Sequence, residues 1–116
     1  TFNADDIRVP YESASRIEHA KTKGILKNGK RWFPNPNGKL CTDVWEIVSQ
    51  RHKEKINGKV VKPSHPTIKP YELIERMVKA SSNENEVVLD LFAGSGMGLK
   101  VCSDLKRLYL GTDVNY

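Results

Sequence analysis

Asp90, Gly94, Gly96 and Asp113 are the residues whose types and spacing point to chemistry. Val87-Val88-Leu89 is an apolar, strand-forming run that arrives at Asp90, and glycines then fall at 94, 96 and 98. A helix-compatible segment follows from Met97 to Lys106. The pattern predicts strand, tight glycine turn and helix. Glycines in such a turn let backbone amides approach a ligand, and a helix N-terminus presents unpaired N–H groups and a positive dipole end to anything negative. A nucleotide-like cofactor fits that arrangement. A second strand candidate, Leu108 to Thr112, ends at Asp113, 19 residues past Gly94. A ribose-binding acid is expected about 20 residues on in a nucleotide-binding βαβ unit. Singly, Asp90 and Asp113 read as ordinary turn acids at strand ends; together, at this spacing, they favour binding.

Departures from better-known loops narrow the cofactor. A dinucleotide fingerprint requires a third glycine at position 99, where the chain has Leu99, and a phosphate-binding P-loop requires Gly-Lys-Ser/Thr, where the chain has Gly98-Leu99-Lys100. The misplaced glycine counts against a dehydrogenase-like enzyme. Asp90-Leu91-Phe92-Ala93-Gly94-Ser95-Gly96 instead resembles the cofactor loop of S-adenosylmethionine-dependent methyltransferases. The resemblance implies that Asp90, Phe92, Ala93, Gly94, Ser95 and Gly96 form the loop around S-adenosyl-L-methionine, Asp90 taking its ammonium and Asp113 its ribose. Met97 departs from related loops, which carry a small hydroxyl residue there.

The chain must also provide elements that hold these residues in place. Its 116 residues, 38% hydrophobic, amount to one domain at most with a modest core. No apolar run approaches a membrane span and no signal-peptide pattern opens the chain, so a soluble, cytoplasmic protein is expected. Cys41 and Cys102 lack paired spacing, and His19, His52 and His65 form no ligand pattern with them, which predicts neither disulfide nor metal. Residues 1–63 carry 13 Lys and Arg against 7 Asp and Glu, whereas residues 64–116 carry 6 against 7. A basic half beside a neutral one fits a polyanionic partner, since phosphate neutralisation supplies most non-specific nucleic-acid affinity; charge alone fits a solvated face equally well.

The basic half reads as irregular and turn-rich. A short polar helix is expected over Ser13–Lys23, and Asn28-Gly29, Asn37-Gly38 and Asn57-Gly58 are favoured two-residue hairpin turns. Pro34 and Pro36 argue against a continuous central strand from Trp32 to Leu40. Aromatic and basic residues interleave there, and arginine and glutamine can read base edges while lysines suit phosphates. Lys30, Arg31, Gln50, Arg51 and Lys53 are therefore the candidate contacts to double-stranded DNA. Trp32, Phe33 and Trp45 are expected to form the small core of this module rather than a stacking platform.

Between the halves stands Ser64-His65-Pro66-Thr67-Ile68-Lys69-Pro70, followed by the amphipathic pattern Leu73, Ile74, Met77, Val78. Pro66 and Pro70 hold an extended segment, and Pro70 suits a helix start, where a missing N–H costs nothing. His-Pro-Thr-x-Lys-Pro ahead of Asp-x-Phe-x-Gly-x-Gly resembles the DNA amino-methyltransferases, which methylate the exocyclic amine of adenine or cytosine. The resemblance places His65, Thr67 and Lys69 at the cofactor, with Thr67 and Lys69 on its carboxylate. The motif order is similar to the permuted class, and Asn35 to Trp45 with Ser49 to His52 looks in particular like the MboII-type adenine methyltransferases of restriction-modification systems.

That resemblance makes residues 1–63 a basic, loop-rich target-recognition region and residues 64–116 the cofactor-binding part of an α/β, Rossmann-like methyltransferase fold. It implies a target base flipped from the stack and its amine oriented for in-line methyl transfer. The family grips that amine with a tetrapeptide containing Pro-Pro. Prolines here stand at 10, 34, 36, 63, 66 and 70, with no two adjacent. Only two parallel strands are found, Glu86 to Phe92 and Arg107 to Thr112, and a sheet buried on both faces needs more. A C-terminal portion is therefore expected, with no catalytic residue of its own, completed by an N-terminal segment or a second polypeptide. The alternative is a non-catalytic, truncated remnant that binds cofactor or DNA.

Overall fold

The structure, a computed structural model, describes residues 1–48, 54–56, 59–61 and 68–114. The expected site residues Gln50, Arg51, Lys53, His65 and Thr67 and the Asn57-Gly58 turn lie outside the described residues. Helix and strand are mixed in two compact units, one of Ala4–Trp45 and one of Thr1–Asn3 with Glu46–Tyr116. This division by packing falls after Trp45, whereas the boundary expected from function falls at 63.

In the first unit a 3₁₀ turn, Ala4–Ile7, leads to helix α1, Ala14–Lys23. Gly24, at φ 68°, ends α1, and its N–H returns to the Ala20 carbonyl at 2.9 Å. Strands β1 (Ile25–Lys27) and β2 (Lys30–Trp32) then pair antiparallel, Ile25 opposite Trp32 and Lys27 opposite Lys30. Asn28 and Gly29 join them with φ of 49° and 75°, the two positive angles that a tight primed turn requires. Asn37-Gly38 does not make the expected hairpin. Pro34 and Pro36 leave its preceding flank short of ladder donors, and Lys39 pairs instead with Val9 through two 2.9 Å backbone bonds. Gly38 is needed for that approach, because a Cβ there would meet the Val9 carbonyl oxygen at 2.4 Å.

The aromatic core expected for this unit is also corrected. Trp32 and Phe33 are 41% and 54% exposed, Trp45 is half-buried, and the buried apolar residue is Ala20. Three-residue strands offer too little surface to cover an indole. Trp32 meets Tyr11 edge-on, ring centres 6.3 Å apart, rather than lying inside a layer.

The second unit contains the antiparallel strands β3 (Glu54–Ile56) and β4 (Lys59–Val61), then helix α2 (Tyr71–Ser81). Pro70 stands immediately before α2, as its lack of an N–H allows. Strand β5 (Val87–Asp90), helix α3 (Met97–Asp104) and strand β6 (Leu108–Gly111) complete it, with β5 and β6 parallel from Val87 opposite Leu108 to Asp90 opposite Gly111. Carbonyls at the C-terminus of α2 are satisfied by side chains: Asn3 Nδ2 donates to Lys79 O and Ser82 O, and Arg107 Nη2 donates to Ser82 O at 2.8 Å. A cation at that end also suits the helix dipole.

Helix α3 stops two residues short of the expected Lys106. Lys106 adopts φ 57°, its N–H reaches Ser103 O, and the Arg107 N–H reaches Cys102 O at 2.8 Å. This is a Schellman closure with lysine where glycine is usual.

Val78, Val101 and Cys102 form the buried centre, against which Tyr71, Ile74, Val88, Met97, Leu105 and Tyr109 pack. Strand alternation sends Val88, Asp90 and Tyr109 to that side. The other face of the sheet carries Val87, Leu89, Leu108 and Leu110, all exposed, with Leu89 and Leu110 at 59% each. A four-residue apolar patch made of two cross-strand pairs therefore faces solvent.

Burial pushes the Cys102 thiol up, with Arg107 opposing and the Asp90 carboxylate adding to the rise. Cys102 is fully buried and Cys41 half-buried. Thiolate is the reactive form, so iodoacetamide should label Cys41 first and Cys102 only in denaturant. Mass spectrometry of timed samples checks this; equal rates at both thiols would mean that the core between α2 and α3 is open.

Candidate cofactor site

The site lies at the carboxyl ends of the parallel strands, where α/β sheets place their ligands. Asp90 closes β5 on the core side. Its Oδ1 accepts the Phe92 N–H at 3.0 Å, fixing the bend out of the strand, and its Oδ2 accepts the Tyr109 hydroxyl at 3.1 Å. The chain then turns on Gly94 and Gly96, at φ 54° and 76°, conformations that L side chains disfavour. Gly96 is the N-cap of α3, and its N–H reaches Ala93 O at 3.0 Å. Two backbone bonds tie the loop to the end of β6: Ala93 N–H to Thr112 O at 2.8 Å and Thr112 N–H to Asp90 O at 2.9 Å. Asp113 follows, and its Oδ2 accepts the Gly94 N–H at 2.9 Å. The two acids are thus brought to the same glycine turn.

A cleft of about 650 Å³ opens there. Of the expected cofactor residues that are described, Lys69, Asp90, Phe92, Ala93, Gly94, Ser95 and Asp113 line it; Gly96 does not, and instead starts the helix. Ile74, Met77 and Met97 supply apolar wall, and the Phe92 ring is 81% exposed. Two carboxylates, one lysine and an apolar wall form a donor and acceptor set suited to a zwitterionic amino acid end, ribose hydroxyls and an apolar ring. Among the described residues no three His, Cys, Asp or Glu side chains converge on a metal position. No helix among them is long and apolar enough to cross a membrane.

Tyr109 was missed by the sequence reading. The parallel register pairs Val88 with Tyr109 and Asp90 with Gly111, which puts Tyr109 on the face of Asp90, and no pattern local to either strand gives that register.

The described DNA candidates, Lys30 and Arg31, are exposed on β2 in the unit Ala4–Trp45. Arg31 Nη1 donates to Lys23 O at 2.6 Å. Lys27 and Lys30 are direct cross-strand partners, a like-charge pairing that disfavours the hairpin unless an anion offsets it. Beside them a second cleft, about 330 Å³, is lined by Tyr11, Arg16, Ile17, Ile25, Lys27 and Trp32. Exposed aromatic and cationic groups therefore share one surface of this unit.

A parallel βαβ unit with two acids on a glycine turn thus stands in a chain that also carries a basic hairpin. The family model described as DNA methylase matches residues 1–116, and the chain belongs to that family. It is 63% identical over 115 residues, 99% of this chain and 44% of the relative, to Type II methyltransferase M1.MboII of Moraxella bovis. It is 40% identical to Type II methyltransferase M.HpaI of Haemophilus parainfluenzae, over 99% of this chain and 30% of that protein. Type II methyltransferase M.BglII of Bacillus subtilis is 34% identical over 97% of this chain and 29% of its own length. The chain thus spans less than half the length of these relatives.

Proposed function

We propose that this chain is the cofactor-binding and DNA-recognition portion of an S-adenosylmethionine-dependent DNA methyltransferase acting on the N6 amine of adenine. The reading is carried by one observation: in a member of the DNA methylase family, Lys69, Asp90, Gly94 and Asp113 line one cleft at the end of a parallel βαβ unit. When bound, S-adenosylmethionine supplies an electrophilic sulfonium methyl group. Asp90 offers a carboxylate to the ammonium, Asp113 an acceptor for ribose hydroxyls, and Lys69, with Thr67 and His65, charge and donors for the carboxylate. Phe92, Ala93, Ser95 and Gly96 shape the loop. The adenine target follows the likeness to the MboII type seen in the sequence.

Residues 1–63 hold the double-stranded DNA through Lys30, Arg31, Gln50, Arg51 and Lys53, and residues 64–116 hold the cofactor. The apolar outer face of β5 and β6 supports a Rossmann-like sheet that is continued and covered by further strands and helices, because parallel sheets are buried on both faces. The catalytic Pro-Pro tetrapeptide belongs to that remainder, on the same polypeptide or on a second one.

The test is methyl transfer. The natural polypeptide, with any chain that co-purifies, is incubated with tritiated-methyl S-adenosylmethionine and duplex DNA, and the DNA is hydrolysed to nucleosides. Label in N6-methyladenine is expected. Label in N4-methylcytosine would overturn the adenine assignment alone, and unlabelled DNA would favour a remnant that binds without catalysing.

A further inference from the structure

Tyr109 occupies a space that two glycines leave for it. Residues 109 and 111 share one face of β6, and the ring leans along the strand over Gly111: a Cβ at 111 would lie 2.5 Å from ring Cε1 and 2.7 Å from the hydroxyl oxygen. On its other side a Cβ at 98 would lie 3.0 Å from ring Cε2, 3.2 Å from the hydroxyl and 3.1 Å from Asp90 Oδ2. Neither Gly98 nor Gly111 has the positive φ that would itself demand glycine. Their missing side chains matter for room. Gly111 is also the direct cross-strand partner of Asp90, so the tyrosine ring fills the volume beside Asp90 that a residue 111 side chain would take. The hydroxyl ends 3.1 Å from Asp90 Oδ2, while Oδ1 holds the Phe92 N–H.

We infer that Tyr109 is a positioning residue for the cofactor: its hydroxyl fixes the Asp90 carboxylate in the cleft before ligand arrives, and Gly98 and Gly111 provide the room that this requires. The inference rests on the proposed role of Asp90 towards the ammonium of the amino acid end. A carboxylate held by two donors at its two oxygens keeps one rotamer, so less side-chain freedom is lost on binding. A side chain at 111 would displace the ring and release Asp90, and one at 98 would press on the ring and on Asp90 Oδ2.

Two probes separate the amino acid end from the nucleoside: S-adenosylhomocysteine carries both, and 5′-methylthioadenosine lacks the amino acid. Affinities are measured by calorimetry on the natural polypeptide. Tyr109→Phe keeps the ring and removes the donor, and should weaken S-adenosylhomocysteine about tenfold while leaving 5′-methylthioadenosine unchanged. Gly111→Ala should give a selective loss at least as large. In a Tyr109→Ala background Gly111→Ala should cost nothing further, since the clash is gone. Equal loss of both probes in Tyr109→Phe, or loss of neither, would overturn the positioning role and leave Tyr109 as packing. Asp90→Asn tests the underlying reading separately. If it leaves the preference for S-adenosylhomocysteine intact, the ammonium assignment of Asp90 fails; if it erases the preference while Tyr109→Phe retains it, only the role of Tyr109 fails.

Discussion

Leu110→Glu is expected to leave this chain folded on its own and to abolish methyl transfer by the natural polypeptide. Leu110 and its cross-strand partner Leu89 are each 59% exposed, and with Val87 and Leu108 they make a continuous apolar face opposite the α2–α3 side. A charge on a surface position changes stability by about 0.5 kcal/mol or less. The same carboxylate buried beneath a covering layer without a partner costs several kcal/mol, on the order of 3 or more. Comparing the two contexts reads the difference directly. Thermal unfolding of the isolated chain should hardly move and its solubility should rise, because the patch is of the kind that drives association. The natural polypeptide should melt much lower and lose DNA labelling. If it melts with the wild type, the face is solvent in the complete protein, and the incomplete-sheet reading fails.

Asp113→Ala should weaken S-adenosylhomocysteine by about 10- to 100-fold and leave duplex DNA affinity unchanged. Its carboxylate accepts the Gly94 N–H at 2.9 Å and is the proposed acceptor for ribose hydroxyls, so two charge-assisted bonds are at stake. Asp113→Asn keeps an oxygen for Gly94 but loses the charge. An intermediate loss there would separate holding the turn from holding the ribose. The DNA contacts are proposed at other residues, between 30 and 53, so Arg51→Ala should show the reverse pattern, with DNA affinity lost and cofactor affinity kept. Calorimetry for the one ligand and fluorescence anisotropy for the other decide it. Equal loss of both ligands in either variant would indicate misfolding and remove these role assignments.

Much of the βαβ unit was legible because its signals are local. An apolar run, an acid and spaced glycines specify β5, the bend and the start of α3 without knowledge of any distant residue. Asn28-Gly29 was legible for the same reason, since two adjacent residues supply both positive φ angles. Asn37-Gly38 looked equivalent and was not, because a hairpin also needs donors on both flanks and Val9 took Lys39 instead. The end of α3 was misplaced by two residues, since Lys106 adopts the left-handed conformation that glycine usually marks. Trp32 and Phe33 went outward because short strands form no layer able to cover them.

By itself the sequence set out the residues of the candidate site: two acids 23 residues apart around a glycine turn, and Lys69 ahead of them, are statements about residue type and spacing along the chain. Only the tertiary structure decided which groups meet. Parallel pairing of β5 with β6 sets Asp90 beside Gly111, and that register alone brings the Tyr109 hydroxyl to the Asp90 carboxylate and the Asp113 carboxylate to the Gly94 amide. Strand parity likewise decided that one face of the sheet packs on α2 and α3 while the other presents Leu89 and Leu110 outward. Local pattern fixes what each segment prefers to be, whereas the register between two segments is set by packing across the whole unit, and it is the register that builds the site.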